Sequence, residues 1–455
     1  MGLYYSRCLL SKSNSCARIH VFRSLGKKSL HGTGVLDSML RRASKDRWEE
    51  VNEELRSAYL GFISVRPLPS VPIGRTILSP PPGPVDRSSF ITVLYTVHVL
   101  GFEIPLRGLA FQQQDRAVGA CATTAIWTAL QRSCKHEGGR PPTPSAISEA
   151  ASRYSLPLGR PLPSPGLTVE QICEALRHFE FPPEVLDPRE NFSFFKLRLQ
   201  IYLRSGIPVI LAVMTENGGH AVTLVGYKSE VPRKLYLRSK REDSLLGAQA
   251  NPSEEDPLEE ADRLLLLNLD FDHVYLHDDR LGPYAVARLA EETAVDPDGP
   301  RLMLKLELPD GSCEDLEVSL AIVPLYPKLR SAAGELFETA FDLLPLIREY
   351  FAEPADELAV DIFFERSGRY LSDLYRLSAS PDRLPGFLRK IALSRYVGVI
   401  RWYLNGEPIL DTVWDTTDQL RETRYEEHLL GMISFRPSDY STVDVIGEIW
   451  GIVVG

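Results

Sequence analysis

The chain lacks three features that would each have assigned it to a class. Its apolar runs, such as IPVILAVM at 207–214, are far shorter than the roughly 20 residues a membrane-spanning helix needs. It has no basic excess: 51 Lys and Arg stand against 61 Asp and Glu, and a formal charge of −10 argues against a nucleic-acid footprint. It has no paired cysteines either. The six, at 8, 16, 121, 134, 173 and 313, are scattered without a CxxC. That usage fits a reducing compartment rather than a disulfide framework, and a cytoplasmic location is the expectation. No ligand set has metal-site spacing, so neither a metal nor a cofactor is expected.

What is present is an ordinary globular composition, 44% apolar and 25% charged, in 455 residues, enough for two or three domains. The first 36 residues carry six Lys or Arg and no acid, and read as a basic, disordered arm. MGLYYS also fits a myristoylation pattern at Gly2, for which the arm is the simpler reading. Residues 37–107 read as an N-terminal accessory region, a charged helix over 37–60 followed by strands. In FITVLYTVHVL (90–100) Ile91, Val93, Tyr95, Val97 and Val99 share one face, leaving His98 solvated on the other.

Residues 108–295 form the next unit. Its first helix has no charge from Ala117 to Gln131, which implies burial on most sides. Thr168 and Gln171 form a capping box before a second helix, with Cys173 as a packing residue. Gly206 ends a third. Strands follow at 207–214 and 220–228, joined by the turn TENGG, and again over 263–279. Residues 229–262, basic then acidic and poor in apolar residues, read as a mobile insertion that gates the site or is itself cleaved. Residues 296–455 read as a separate C-terminal α+β domain, with a helix near 334–351 and a hairpin turning at Asn405-Gly406. GFISVRP (61–67) echoes GMISFRP (431–437), as if both were strands of one accessory sheet.

Three residues stand where chemistry could be done. Cys121 opens the uncharged helix, where free N–H groups and the positive end of the helix dipole favour a thiolate. Taken alone it is a packing residue. His220 follows Gly218-Gly219 at a turn-to-strand junction, where an imidazole can reach a cleft. Asp278 ends the next strand, FDHVYLHDD, and could fix the imidazole tautomer; Asp279 is the alternative. His273 and His277, four apart with Asp278 and Asp279 beside them, are a weaker metal reading. Cys134 and His136 read as surface residues, and Trp402 and Trp414 as packing on the hairpin face.

The order Cys, His, Asp, with HAVTLVGY and VYLHDD around the second and third, resembles the papain-like cysteine peptidases, closest to the bacteriocin leader peptidase branch. The resemblance covers about 108–295. It implies an α+β fold with a papain-like core: a helix carrying Cys packed on an antiparallel sheet carrying His and Asp, with N- and C-terminal accessory α+β regions. It implies a soluble thiol protease acting on a peptide or protein, with Cys121 as nucleophile, His220 as general base and acid, and Asp278 orienting it. It also implies an oxyanion glutamine from FQQQD, expected at Gln114, with Gln112 and Gln113 as alternatives. The spacing from Gln114 to Cys121 is one residue longer than usual in the family, and Gly119-Ala120 stand in place of its Cys-Gly pair. An acyltransferase using the same triad and an inactive papain-like binding module are the other readings. A regulatory protein partner is expected at the C-terminal domain.

Overall fold

In a computed structural model, the structure describes residues 16–23, 41–43, 45–68, 71–82, 88–113, 121–154, 166–189, 191–216, 218–229, 235–237, 248–250, 265–266, 271–292, 301–308, 310–353, 356–377, 392–417 and 428–435. The segment read as a basic arm contributes a strand, β1 (Ala17–Phe22). Helix α1 (Trp48–Ala58) occupies the end of the segment expected to be helical and buries Val51, Leu55 and Ala58 at helical spacing. Strands β2 (Tyr59–Val65) and β3 (Ile73–Leu78) complete a three-stranded sheet, β1-β2-β3. After the short β4 (Ser88–Phe90), β5 (Val93–Val99) and β6 (Phe102–Gly108) pair as a hairpin. Along β5, Val93, Tyr95, Val97 and Val99 are buried and His98 is exposed, the alternation that its sequence specifies.

Three helices come next: α2 (Cys121–His136), α3 (Pro144–Ala151) and α4 (Val169–His178). Every residue of α2 from Ala122 to Gln131 is buried, as its lack of charge requires. The Thr168–Gln171 capping box starts α4, and Cys173 packs inside it. Strand β7 (Pro183–Leu186) and helix α5 (Phe192–Arg204), which ends before Gly206 at φ +73°, lead into the largest sheet. Its next strands are β8 (Val209–Thr215) and β9 (Gly218–Ser229).

Within the segment read as a mobile insertion, β10 (Leu235–Leu237) and β11 (Ala248–Ala250) are strands; the rest of 230–262 lies outside the described residues. There follow β12 (Leu265–Leu266), β13 (Phe271–Asp278), β14 (Gly282–Glu292), β15 (Arg301–Glu307) and β16 (Cys313–Pro324). The ring β13-β14-β15-β16-β8-β9 closes on itself through the β13–β9 pairing, and each contact in it is antiparallel.

The papain-like core expected from the sequence is therefore not the fold. Among the described residues strand exceeds helix, and the centre is a closed six-strand antiparallel barrel rather than a helix-on-sheet core. The reason lies in RLMLKLE and the strand after it, which the sequence reading assigned beyond residue 295 to a separate domain. Leu302, Leu304 and Leu306 alternate inward along β15, and β15 and β16 supply the two strands that complete the ring. Closure leaves none of the six strands as an unpaired sheet edge.

The C-terminal part adds α6 (Ala333–Phe351), β17 (Leu358–Arg366), α7 (Ser367–Leu377), β18 (Tyr396–Leu404), β19 (Glu407–Asp415) and β20 (Leu429–Ser434). The four strands join β12, β10 and β11 in a second large sheet, in which only the β12–β17 pairing is parallel. In β17 and β18 the burial is nearly continuous instead of alternating, because both sheet faces are covered. The hairpin β18–β19 turns at Asn405 (φ +52°) and Gly406 (φ +87°), the left-handed pair that such a tight turn requires. Trp402 and Trp414 are fully buried, as expected of packing residues. Of the two echoing heptads, residues 61–65 lie in β2 and residues 431–434 in β20, in different sheets. One hydrophobic core runs from α1 through the barrel to the C-terminal sheet.

Candidate functional site

Helix α2, strand β9 and strand β13 bring Cys121, His220 and Asp278 to one end of the barrel. Local chemistry fixes each element. Thr223 in β9 donates its hydroxyl to the Ala125 carbonyl of α2 at 3.0 Å, tying the helix to the strand three residues after His220. Strand β13 pairs with β9 through His277 opposite Thr223, which places Asp278 beside the start of β9. Where Gly226 crosses β4, a Cβ would lie 2.4 Å from the Ser89 carbonyl oxygen, so glycine alone allows that approach.

His220 Nε2 lies 3.2 Å from Asp278 Oδ1 and 3.5 Å from Asp279 Oδ1. Burial opposes a charge on His220, but hydrogen bonds with Asp278 and with the Cys121 side chain, together with the two carboxylates, outweigh it. The pKa is pushed up to about 9. Because this value exceeds the ordinary 6.5, the pair stabilises the fold fully below pH 6.5, and that contribution is lost as pH rises through about 9. Asp278 is fully buried; burial raises its pKa, yet the bonds from His220 and Arg280 hold it well below the carboxylate range. Asp279 differs. Its desolvation pushes the carboxyl up, and among the described residues its Oδ1 has no hydrogen-bond partner.

A small cleft opens beside Cys121, lined also by Phe111, Thr124, Thr128, Ala221, His277 and Asp279. His277 is buried beneath α2, edge-on to Phe111 at 5.7 Å and to Tyr284 at 4.9 Å, and burial lowers its pKa to about 3. It is therefore neutral and forms part of the wall of the cleft.

The oxyanion glutamine expected at Gln114 lies outside the described residues, as do Gly119 and Ala120. Gln113 is drawn to the N-terminal sheet, where its Oε1 accepts from the Ile73 N–H at 3.2 Å. Cys134 and His136, read from sequence as surface residues, are in fact turned inward. Cys134 is buried, and His136 stacks on Tyr326 at 4.5 Å with its pKa lowered to about 3, mainly by burial. Tyr326 and Tyr396, which cover His136, come from about 190 and 260 positions further along the chain, so nothing in SCKHEGG reveals the burial.

As for a cation, His220, Asp278 and Asp279 place three ligand atoms within 4.8 Å of one another; neither His273 nor His277 joins the group. The guanidinium of Arg280 already bonds both oxygens of Asp278, so an ion there would have to displace it.

Arg280 is a site residue that was not among those expected from sequence. Its backbone N–H donates to Asp278 Oδ1 at 2.8 Å, its Nε to the same oxygen at 3.2 Å, and its Nη2 to Oδ2 at 2.8 Å. The signal was a basic residue two positions after the aspartate, in the turn into β14. Compared with protein-family models the chain matches none, and comparison with curated protein sequences likewise yields no match.

Proposed function

We propose that the chain is a thiol hydrolase that cleaves a peptide or protein substrate through an acyl-enzyme on Cys121. The observation that carries the reading is the His220–Asp278 hydrogen bond at 3.2 Å, with the Cys121 side chain bonded to the same imidazole. With Nε2 turned to the carboxylates, Nδ1 is the nitrogen left to exchange a proton with the thiol. An imidazolium beside the sulfur favours the thiolate, and a thiolate is the nucleophilic form.

In the proposed reaction the Cys121 sulfur attacks the substrate carbonyl and the carbonyl π electrons move to oxygen. The Cys121 backbone N–H, at the positive end of α2, is suited to stabilise that oxyanion. As the tetrahedral adduct collapses, the C–N bond breaks and His220 gives its proton to the leaving amine. Water, deprotonated by His220, then attacks the thioester; the C–S bond breaks and the thiolate returns. Asp278 stays ionised throughout and holds the imidazole in place.

The test is product analysis. Wild type and Cys121→Ala would be incubated with a mixed peptide library in ¹⁸O water, with and without an added amine. New carboxyl termini carrying ¹⁸O in the wild-type sample alone are expected. Cleavage that survives in Cys121→Ala would overturn the reading, and products bearing only the added amine would assign the site to acyl transfer instead.

A further inference from the structure

We infer that Arg280 is a positioning residue for this site, selecting which of two adjacent carboxylates orients His220; the inference rests on the thiol-hydrolase reading. Asp278 and Asp279 both lie within 3.5 Å of His220 Nε2, so proximity alone does not choose between them. Arg280 breaks the tie. Its fork and its backbone N–H fix both oxygens of Asp278, leaving Oδ1 aimed at the imidazole. Such a two-pronged contact sets the plane of a carboxylate as well as its charge, which a lysine cannot do.

The guanidinium is itself held. Its Nη1 donates to Glu314 at 3.0 Å, and Glu314 lies in β16, on the opposite side of β14 and β15 in the barrel order. Glu314, Arg280, Asp278 and His220 thus form a chain of contacts from the barrel wall to the nucleophile. No comparable anchor reaches Asp279, whose Oδ1 has no hydrogen-bond partner among the described residues. The arrangement fixes one buried carboxylate through the Arg280 fork and backbone N–H, contacts that its neighbour lacks.

The experiment reads the rate at which iodoacetamide alkylates Cys121 in the full chain at pH 7, followed by mass spectrometry of the Cys121 peptide. Arg280→Ala is expected to slow it on the order of 10-fold, the scale of one unit of proton affinity at the His220–Asp278 pair. Arg280→Lys should restore little of this, because it returns the charge without the fork. Asp278→Asn should slow the reaction at least as much. Adding Arg280→Ala to Asp278→Asn should then cost nothing further, since Arg280 acts through Asp278. Glu314→Gln, a change at a partly exposed residue, should give a smaller loss and covers the case in which Arg280→Ala fails to fold.

A full rate in Arg280→Ala, full recovery in Arg280→Lys, or additive losses in the double variant would overturn the positioning role. His220→Ala in the same assay separates the two levels. If it too leaves the rate unchanged, the hydrolase reading fails; if it slows the reaction while Arg280→Ala does not, only the role of Arg280 falls.

Discussion

Asp278→Asn is expected to lower hydrolysis on the order of 10⁴-fold while the chain stays folded, and Asp279→Asn to lower it far less. The two aspartates are neighbours in sequence and nearly equidistant from His220, yet their surroundings are opposite. Asp278 is fully buried, accepts from Arg280 and from His220, and stays ionised. An asparagine there would keep the shape but present an amide that cannot balance an imidazolium. It would also set its own N–H₂ group against Arg280 or His220, favouring the wrong tautomer of the histidine. Asp279, with its pKa raised by burial and no hydrogen bond at Oδ1 among the described residues, has little orientation to lose. Steady-state kinetics on one cleaved peptide, with thermal unfolding as the folding control, would measure both. Equal losses at the two positions would show that the carboxylates share the task.

The largest effect on stability is expected in the C-terminal sheet. Arg401 in β18 and Asp411 in β19 are directly opposite each other and make a two-pronged pair, Nε to Oδ1 and Nη2 to Oδ2, both at 2.8 Å. Tyr370 of α7 donates its hydroxyl to the same carboxylate at 2.9 Å, and Asp411 is fully buried. Asp411→Ala removes the acceptor for three bonds and leaves the Arg401 guanidinium buried without its counter-charge. A cost of about 3–5 kcal/mol in urea unfolding is expected. Replacing all three groups by apolar ones, Arg401→Met with Asp411→Leu and Tyr370→Phe, should cost much less, because no polar group is then stranded. A small loss in Asp411→Ala alone would mean that water reaches Arg401.

Much of this architecture was legible wherever a short stretch carries its own physics. The capping box at Thr168, the left-handed Asn405-Gly406 turn and the period-two run of β5 each depend on residues within a few positions of one another. The candidate site was legible in a different way. Cys121, His220 and Asp278 were singled out because a helix start, a turn-to-strand junction and a strand end are places where side chains can converge. Sequence could not show what surrounds them. The ring closes through pairings such as β9 with β13 and β8 with β16, between strands about 50 to 100 positions apart, and no local signal distinguishes a sheet that closes from one that stays open. For the same reason the inward turn of Cys134 and His136 and the anchoring of Arg280 by Glu314 were hidden. Each depends on a partner delivered by a distant strand or loop.

The most direct test is the pH dependence of iodoacetamide labelling at Cys121, with Cys313, which is exposed and free, as the internal reference. The His220 pKa near 9 keeps the imidazolium beside the thiol through neutral pH. Cys121 is therefore expected to react at pH 6 at least about 10-fold faster than Cys313, and to lose that advantage in His220→Ala. Equal rates at the two cysteines at pH 6, or an advantage that survives His220→Ala, would contradict a thiolate held by His220.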